Sequence, residues 1–158
     1  MAVVVVLFAG CATTPDWVRK GAGAFKEKDK VFYGQGMATA KIKDKALRQE
    51  SADNRARADL QRVFDTYTAY LMKDYAGMDG QLIERACKTF SAGHISGAQI
   101  VDRWTERDGT IHSLIKLDLA TFKEAMELAK ELSDTAREHI QKKADAMFDE
   151  LQREEEKH

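Results

Sequence analysis

Ala98-Gln99-Ile100-Val101-Asp102-Arg103-Trp104-Thr105-Glu106-Arg107-Asp108-Gly109-Thr110-Ile111-His112-Ser113-Leu114-Ile115-Lys116-Leu117 is the stretch on which the fold turns. It reads as two strands, residues 98–104 and 110–117, meeting through Arg107-Asp108-Gly109. Asp-Gly favours a tight two-residue turn, because both residues tolerate the backbone geometry such a turn requires. Pairing outward from that turn sets Trp104 against Ser113, Asp102 against Ile115 and Ile100 against Leu117. One face then holds Ile100, Trp104, Ile115 and Leu117. The other holds Arg103, Thr105, His112 and Lys116 and suits water. Asp102 is the odd residue on the apolar face. A place at the sheet edge, paired with an arginine such as Arg55 or Arg57, is expected for it.

Upstream, Val31-Phe32-Tyr33-Gly34-Gln35-Gly36-Met37-Ala38 reads as a strand, with Val31, Tyr33, Gln35 and Met37 on one face and Phe32, Gly34 and Gly36 on the other. The alternate glycines leave the second face thin, so a helix can pack close there. A long helix follows over about 44–75. Its apolar residues Ala52, Ala56, Leu60, Val63, Phe64, Tyr67, Tyr70 and Leu71 recur in steps of three and four. Its small half matches the glycine face. Arg48, Glu50, Asp53, Arg55, Arg57 and Asp59 lie mostly off the stripe and read as a solvated face. Gly77-Met78-Asp79-Gly80 breaks the helix. A shorter one is expected over 81–90, with Ala92-Gly93-His94 leading out. Trp17, in the entry segment, is expected to pack onto the domain, with the membrane interface, where indole rings are favoured, as the other option.

Downstream, Thr121-Phe122-Lys123-Glu124 has the form of a capping box. The helix it opens could run almost to the end, roughly 50 Å over about 35 residues. Its apolar positions are Phe122, Met126, Ala129, Leu132, Ala136, Ile140, Ala144, Met147 and Leu151. Two courses are open beyond Ser133-Asp134: projection toward another copy, or a bend back onto the same domain.

The chain has 158 residues and a formal net charge of −1, from 25 basic and 26 acidic residues. That balance gives no reason to expect nucleic acid as a partner. The single proline, Pro15, leaves long helices possible elsewhere.

The N-terminus carries the functional signal. Met1 to Gly10 contain no charge, and Cys11 is followed by Ala12-Thr13-Thr14-Pro15. The run is short of the roughly 20 residues that span a bilayer. It matches the apolar heart of a secretory signal ending in small residues. A buried strand competes for the four valines. Gly10-Cys11 before a Thr-Thr-Pro linker favours the signal, read as truncated at its start because no basic stretch precedes the apolar run.

Leu7-Phe8-Ala9-Gly10-Cys11 resembles the bacterial lipobox. That resemblance implies a lipid on Cys11, cleavage before it, and an outer-membrane destination, since residue 12 is not aspartate. The wider chain resembles the LPP-twenty family of outer-membrane lipoproteins, related to flagellar outer-membrane assembly lipoproteins. The matching stretches are Trp17-Val18, residues 31–36, residues 52–60 and residues 96–104, then Asp108-Gly109 and residues 113–117. The resemblance implies an α+β fold, a long helix packed on a small three-stranded antiparallel sheet in strand–helix–strand–strand order. A long C-terminal helix, outside the resemblance, follows. It also implies relatives that assemble into rings or discs, and no catalytic residues. The expected organisation is a signal peptide over 1–10, a lipidated tether over 11–30, an α+β domain over 31–120 and a helical extension over 121–158.

The function expected is a non-enzymatic interaction or assembly module of the bacterial envelope, anchored in the outer membrane through Cys11. A second copy or another envelope protein is the expected partner. The alternative is a periplasmic ligand-binding lipoprotein, with Phe64, Tyr67, Tyr70 and Trp104 lining a pocket. His94, His112, His139 and His158 show no metal-ligand spacing with one another or with cysteine, so no metal or cofactor is expected. Cys87 reads as a buried or half-buried thiol, with pairing to a second chain as the other option. Were the protein an enzyme, Asp102 and His112 would be the first residues to replace.

Overall fold

Two glycines on a strand and two alanines one helical turn apart form the contact around which the molecule is arranged. A computed structural model describes residues 13–21, 30–73, 75 and 77–155. Their order is α1 (Asp16–Lys20), β1 (Val31–Ala38), α2 (Lys45–Met72), α3 (Gly80–Gly97), β2 (Ile100–Thr105), β3 (Ile111–Asp118), α4 (Leu119–Leu128) and α5 (Asp134–Glu155). The fold is α+β: a three-stranded antiparallel sheet in the order β1-β3-β2, with helices packed on it.

α2 lies across β1 and β3. A Cβ added at Gly34 would strike the Ala56 carbonyl and the Leu60 backbone, and one at Gly36 the Ala52 carbonyl and the Ala56 amide. Strand and helix are thus in backbone contact, the close approach that alternate glycines permit. Asp44 starts the helix, its carboxylate accepting from the Leu47 amide at 2.8 Å. Toward its C-terminal half small residues give way to large ones. Phe64 and Tyr67 meet Phe32, and Phe122 meets Phe64, Tyr67 and Phe90, at ring separations of 4.9 to 5.7 Å.

α3 continues to Gly97, well past the end expected near Phe90. Ser91 and Ile95 extend the buried stripe of Ile83, Cys87 and Phe90 by another turn. Burial of Ile95 outweighs the roughly 1 kcal/mol a mid-helix glycine costs at Gly93.

α4 begins at Leu119, directly after β3, so the capping box at Thr121 does not mark a helix start. Leu119 and Phe122 are both buried, and the Leu119 amide donates to the Lys30 carbonyl at 2.9 Å. The chain leaves helical geometry after Leu128, and α5 returns. Ser133 accepts from the Ala136 amide at 3.1 Å, capping the new helix. Ala136, Ile140, Ala144, Phe148 and Leu151 are buried in the same core as Phe32 and Phe64. Of the two courses open to this segment, the bend back is the one taken; the helix does not project.

The hairpin corrects the expected pairing. Trp104 lies opposite His112, Arg103 opposite Ser113 and Asp102 opposite Leu114. The loop is Arg107-Asp108-Gly109, three residues rather than two. The Glu106 amide donates to the Thr110 carbonyl at 2.8 Å and the Gly109 amide to the Glu106 carbonyl at 2.9 Å, with Gly109 at φ 88°. A turn followed by a left-handed residue is the usual three-residue hairpin. Asp108 fixes it by accepting from the Thr110 amide at 2.8 Å. One extra loop residue shifts the register by one and turns Trp104 to the opposite face. An irregularity between Ile100 and Asp102 shifts the register again and sets Ile100 opposite Ile115, on the core side.

Candidate functional site

The two faces of the sheet differ in chemistry, and so do its two edges. On the helix side sits a polar cluster that the sequence did not announce. Asp53, expected in solvent, is 8% exposed. It accepts from Arg103 Nε at 3.0 Å and Nη2 at 2.7 Å, and from Ser113 Oγ at 2.6 Å. Burial alone would raise its pKa, but the hydrogen bonds from Arg103 and Ser113 outweigh that and hold the carboxyl below its ordinary range. Ser113 donates to a carboxylate kept ionised, and among the described residues no histidine is hydrogen-bonded to either. This arrangement ties α2 to β2 and β3. The spacing Asp53-Ala56-Leu60, three then four, placed Asp53 on the buried stripe and was the signal that could have found it.

Other charges of α2 serve the β1 edge. Asp59 Oδ2 accepts from the Gln35 amide at 2.9 Å, and Arg55 donates to the Met37 carbonyl at 2.6 Å. The outer edge of β1 is therefore partly occupied by side chains. β2 is different. Among the described residues no strand pairs with its outer side, and Val101, Asp102, Arg103 and Thr105 are exposed along it.

On the face away from the helices lies α1. Trp17 is buried against Val31, Tyr33 and Leu114, with Val18 and Trp104 alongside. Its indole Nε1 donates to Asp102 Oδ2 at 2.7 Å, and its carbonyl accepts from Gln35 Nε2 at 2.6 Å. Asp102 thus sits at an exposed edge as expected, but its partners are Trp17 and the Arg103 amide at 2.8 Å, rather than Arg55 or Arg57. The displaced register explains this, since it moves Asp102 to the face where α1 docks.

The remaining expected residues are dispersed. Cys11, expected to carry the lipid, lies outside the described residues, as do the rest of 1–12 and His158. His112 pairs with Glu106 at 2.7 Å and does not join Asp102 in a common hydrogen bond. Cys87 is 1% exposed, and burial pushes its thiol up to about 12, so it is protonated and inaccessible to a second chain. Phe64 and Tyr67 are packed in the helical core and Trp104 lies across the sheet, so the aromatic residues expected around a ligand do not share one site. Among the described residues no group of three or more His, Cys, Asp or Glu could hold a metal ion. No described helix is long and apolar enough to cross a membrane. No protein-family model matches the chain, and no curated protein matches it.

Proposed function

We propose that this chain is a lipoprotein anchored in the outer membrane of a bacterial envelope through Cys11, where it acts as a non-enzymatic interaction or assembly module. The observation that carries the reading is Leu7-Phe8-Ala9-Gly10-Cys11, an uncharged apolar run ending in small residues before a cysteine. Several acyl chains on one residue make a lasting anchor, because each buried methylene contributes about 0.8 kcal/mol. The open β2 edge supports the assembly half of the proposal. An unpaired edge strand offers backbone donors and acceptors to a second copy or another envelope protein. The return of α5 onto the core removes the projecting helix as a contact, leaving the edge as the assembly element.

Metabolic labelling with a clickable palmitate analogue tests the anchor. Label is expected on the wild type and absent from Cys11→Ser; label on both, or on neither, overturns it. Sizing of the delipidated protein tests the assembly role. An oligomer is expected, and Val101→Lys should shift it toward monomer by placing a charge on the edge. A strict monomer that crosslinks to nothing in intact membranes would defeat the assembly role while leaving the anchor standing.

A further inference from the structure

We propose that the sheet face opposite the helices, with α1 lying on it, is the surface this protein turns toward the bilayer. The inference rests on lipidation of Cys11 and adds an orientation to it.

Cys11 stands two residues before Thr13, the first described residue, and six before Trp17. A chain spans at most about 3.6 Å per residue, so Cys11 is within roughly 7 Å of Thr13 and 22 Å of Trp17 in any conformation. Trp17 is not free to follow the lipid elsewhere. Its ring is buried on the sheet, and two hydrogen bonds at 2.7 and 2.6 Å tie it to Asp102 and Gln35. The acyl chains must enter the bilayer beside Cys11, so the interface lies close to the start of α1. The outer surface of the helices is farther away by the sheet plus at least one helix diameter, about 10–12 Å.

The exposed chemistry fits a surface held near headgroups by a tether rather than by its own affinity. Met37 is 49% exposed on this face. Arg19 and Lys20 are solvent-facing but share Asp16, and Lys116 has Asp118 at 3.6 Å, so these cations are balanced among the described residues. With this face toward the membrane, the sheet lies roughly parallel to it. The open β2 edge then points along the membrane plane, where neighbouring anchored copies would meet it.

The test uses the full-length lipidated protein, purified from membranes and reconstituted in phosphatidylcholine vesicles that carry a headgroup nitroxide. A fluorophore is placed at Met37→Cys or, on the exposed side of α5, at Lys143→Cys; both positions are solvent-facing. Cys87, buried and protonated, does not take the label. Co-flotation with vesicles is scored first, and loss of it overturns the lipid reading together with this inference. In protein that floats, the expected result is loss of most of the Met37→Cys emission with Lys143→Cys unaffected. Equal quenching at both positions, or quenching at Lys143→Cys alone, overturns the orientation and leaves the anchor intact. Met37→Cys shielded from both the nitroxide lipid and an aqueous quencher would instead place a second copy on this face, and that also overturns it. Trp17 and Trp104 are the only tryptophans and both lie on this side, so brominated lipid gives a label-free repeat on the unsubstituted protein.

Discussion

The two faces of the sheet are held by opposite means. On the helix side, Gly34 and Gly36 let α2 come down onto the strand until backbone meets backbone, and Asp53 ties Arg103 and Ser113 into the same seam. On the other side, one five-residue helix is fastened by the Trp17 indole, with Val18 beside it, and two hydrogen bonds. The first face is sealed over a continuous core. The second is a local attachment whose loss need not disturb that core. The two attachments therefore differ in how much of the fold depends on them: the first is shared by a strand, a helix and the core beneath them, the second by α1 and the sheet residues it touches.

Gly36→Val should break the sealed face outright. The added side chain would have to occupy the position of the Ala52 carbonyl and the Ala56 amide, which belong to a 28-residue helix and cannot step aside separately. Overpacking costs about 1–3 kcal/mol where side chains can adjust, and more is expected where only backbone can move. A drop in thermal midpoint of many degrees, or failure to fold, is the expected outcome of a melting experiment. A near-wild-type midpoint would mean that strand and helix are not in contact as described.

Asp53→Ala comes next. It strands the hydroxyl of Ser113 and one face of the Arg103 guanidinium, at a cost of about 2 kcal/mol. The Arg103 share is reduced by screening, since its side chain is 40% exposed. The same pair predicts a pH dependence. Because the folded-state pKa of Asp53 lies below its ordinary 3.8, its ionised form stabilises the fold fully above that value, and the contribution fades as pH falls through the folded-state pKa. Denaturant titrations of wild type and Asp53→Asn should therefore show a constant stability gap near neutral pH that narrows below about pH 4. A gap that widened in acid would reverse the assignment.

How much of this was legible in the sequence follows from what kind of information each element needs. The glycine–alanine contact was readable, because alternate glycines and a four-residue alanine repeat are local patterns with one common use. The long second helix follows from periodicity in the same way, whereas the three-stranded antiparallel sheet was an implication of the family resemblance and its order β1-β3-β2 was not specified. The hairpin register was not readable from Asp108-Gly109 alone. A two- and a three-residue loop use the same Gly109, and the choice between them decides whether Trp104 or Arg103 faces the helices. The irregularity after Ile100 then compensates, so that one strand presents both Ile100 and Arg103 to the helix side. Asp53 was hidden for a related reason: its charge argued for solvent, while the partner that allows its burial lies 50 residues away across a register the loop had not yet fixed. The C-terminal helix left two courses open because its stripe is equally apolar in either, and only the cap at Ser133 and the fit of Phe148 against Phe32 decide between them.

The smallest effect expected separates the two faces most sharply. Trp17→Phe keeps an aromatic ring against Val31, Tyr33 and Leu114 but removes the donor to Asp102. The loss is about 0.5–1.5 kcal/mol for one hydrogen bond, toward the lower end because Asp102 is exposed and can turn to water. That energy belongs to the docking of α1 and not to the core. Amide exchange should therefore quicken in residues 16–20 and at the β1 amides near Gln35, while Ala52, Leu60 and Ile115 exchange as before and the global melting midpoint moves little. An equal acceleration across α2 and β3 would show that the two faces melt as one unit and that the contrast drawn between them does not hold.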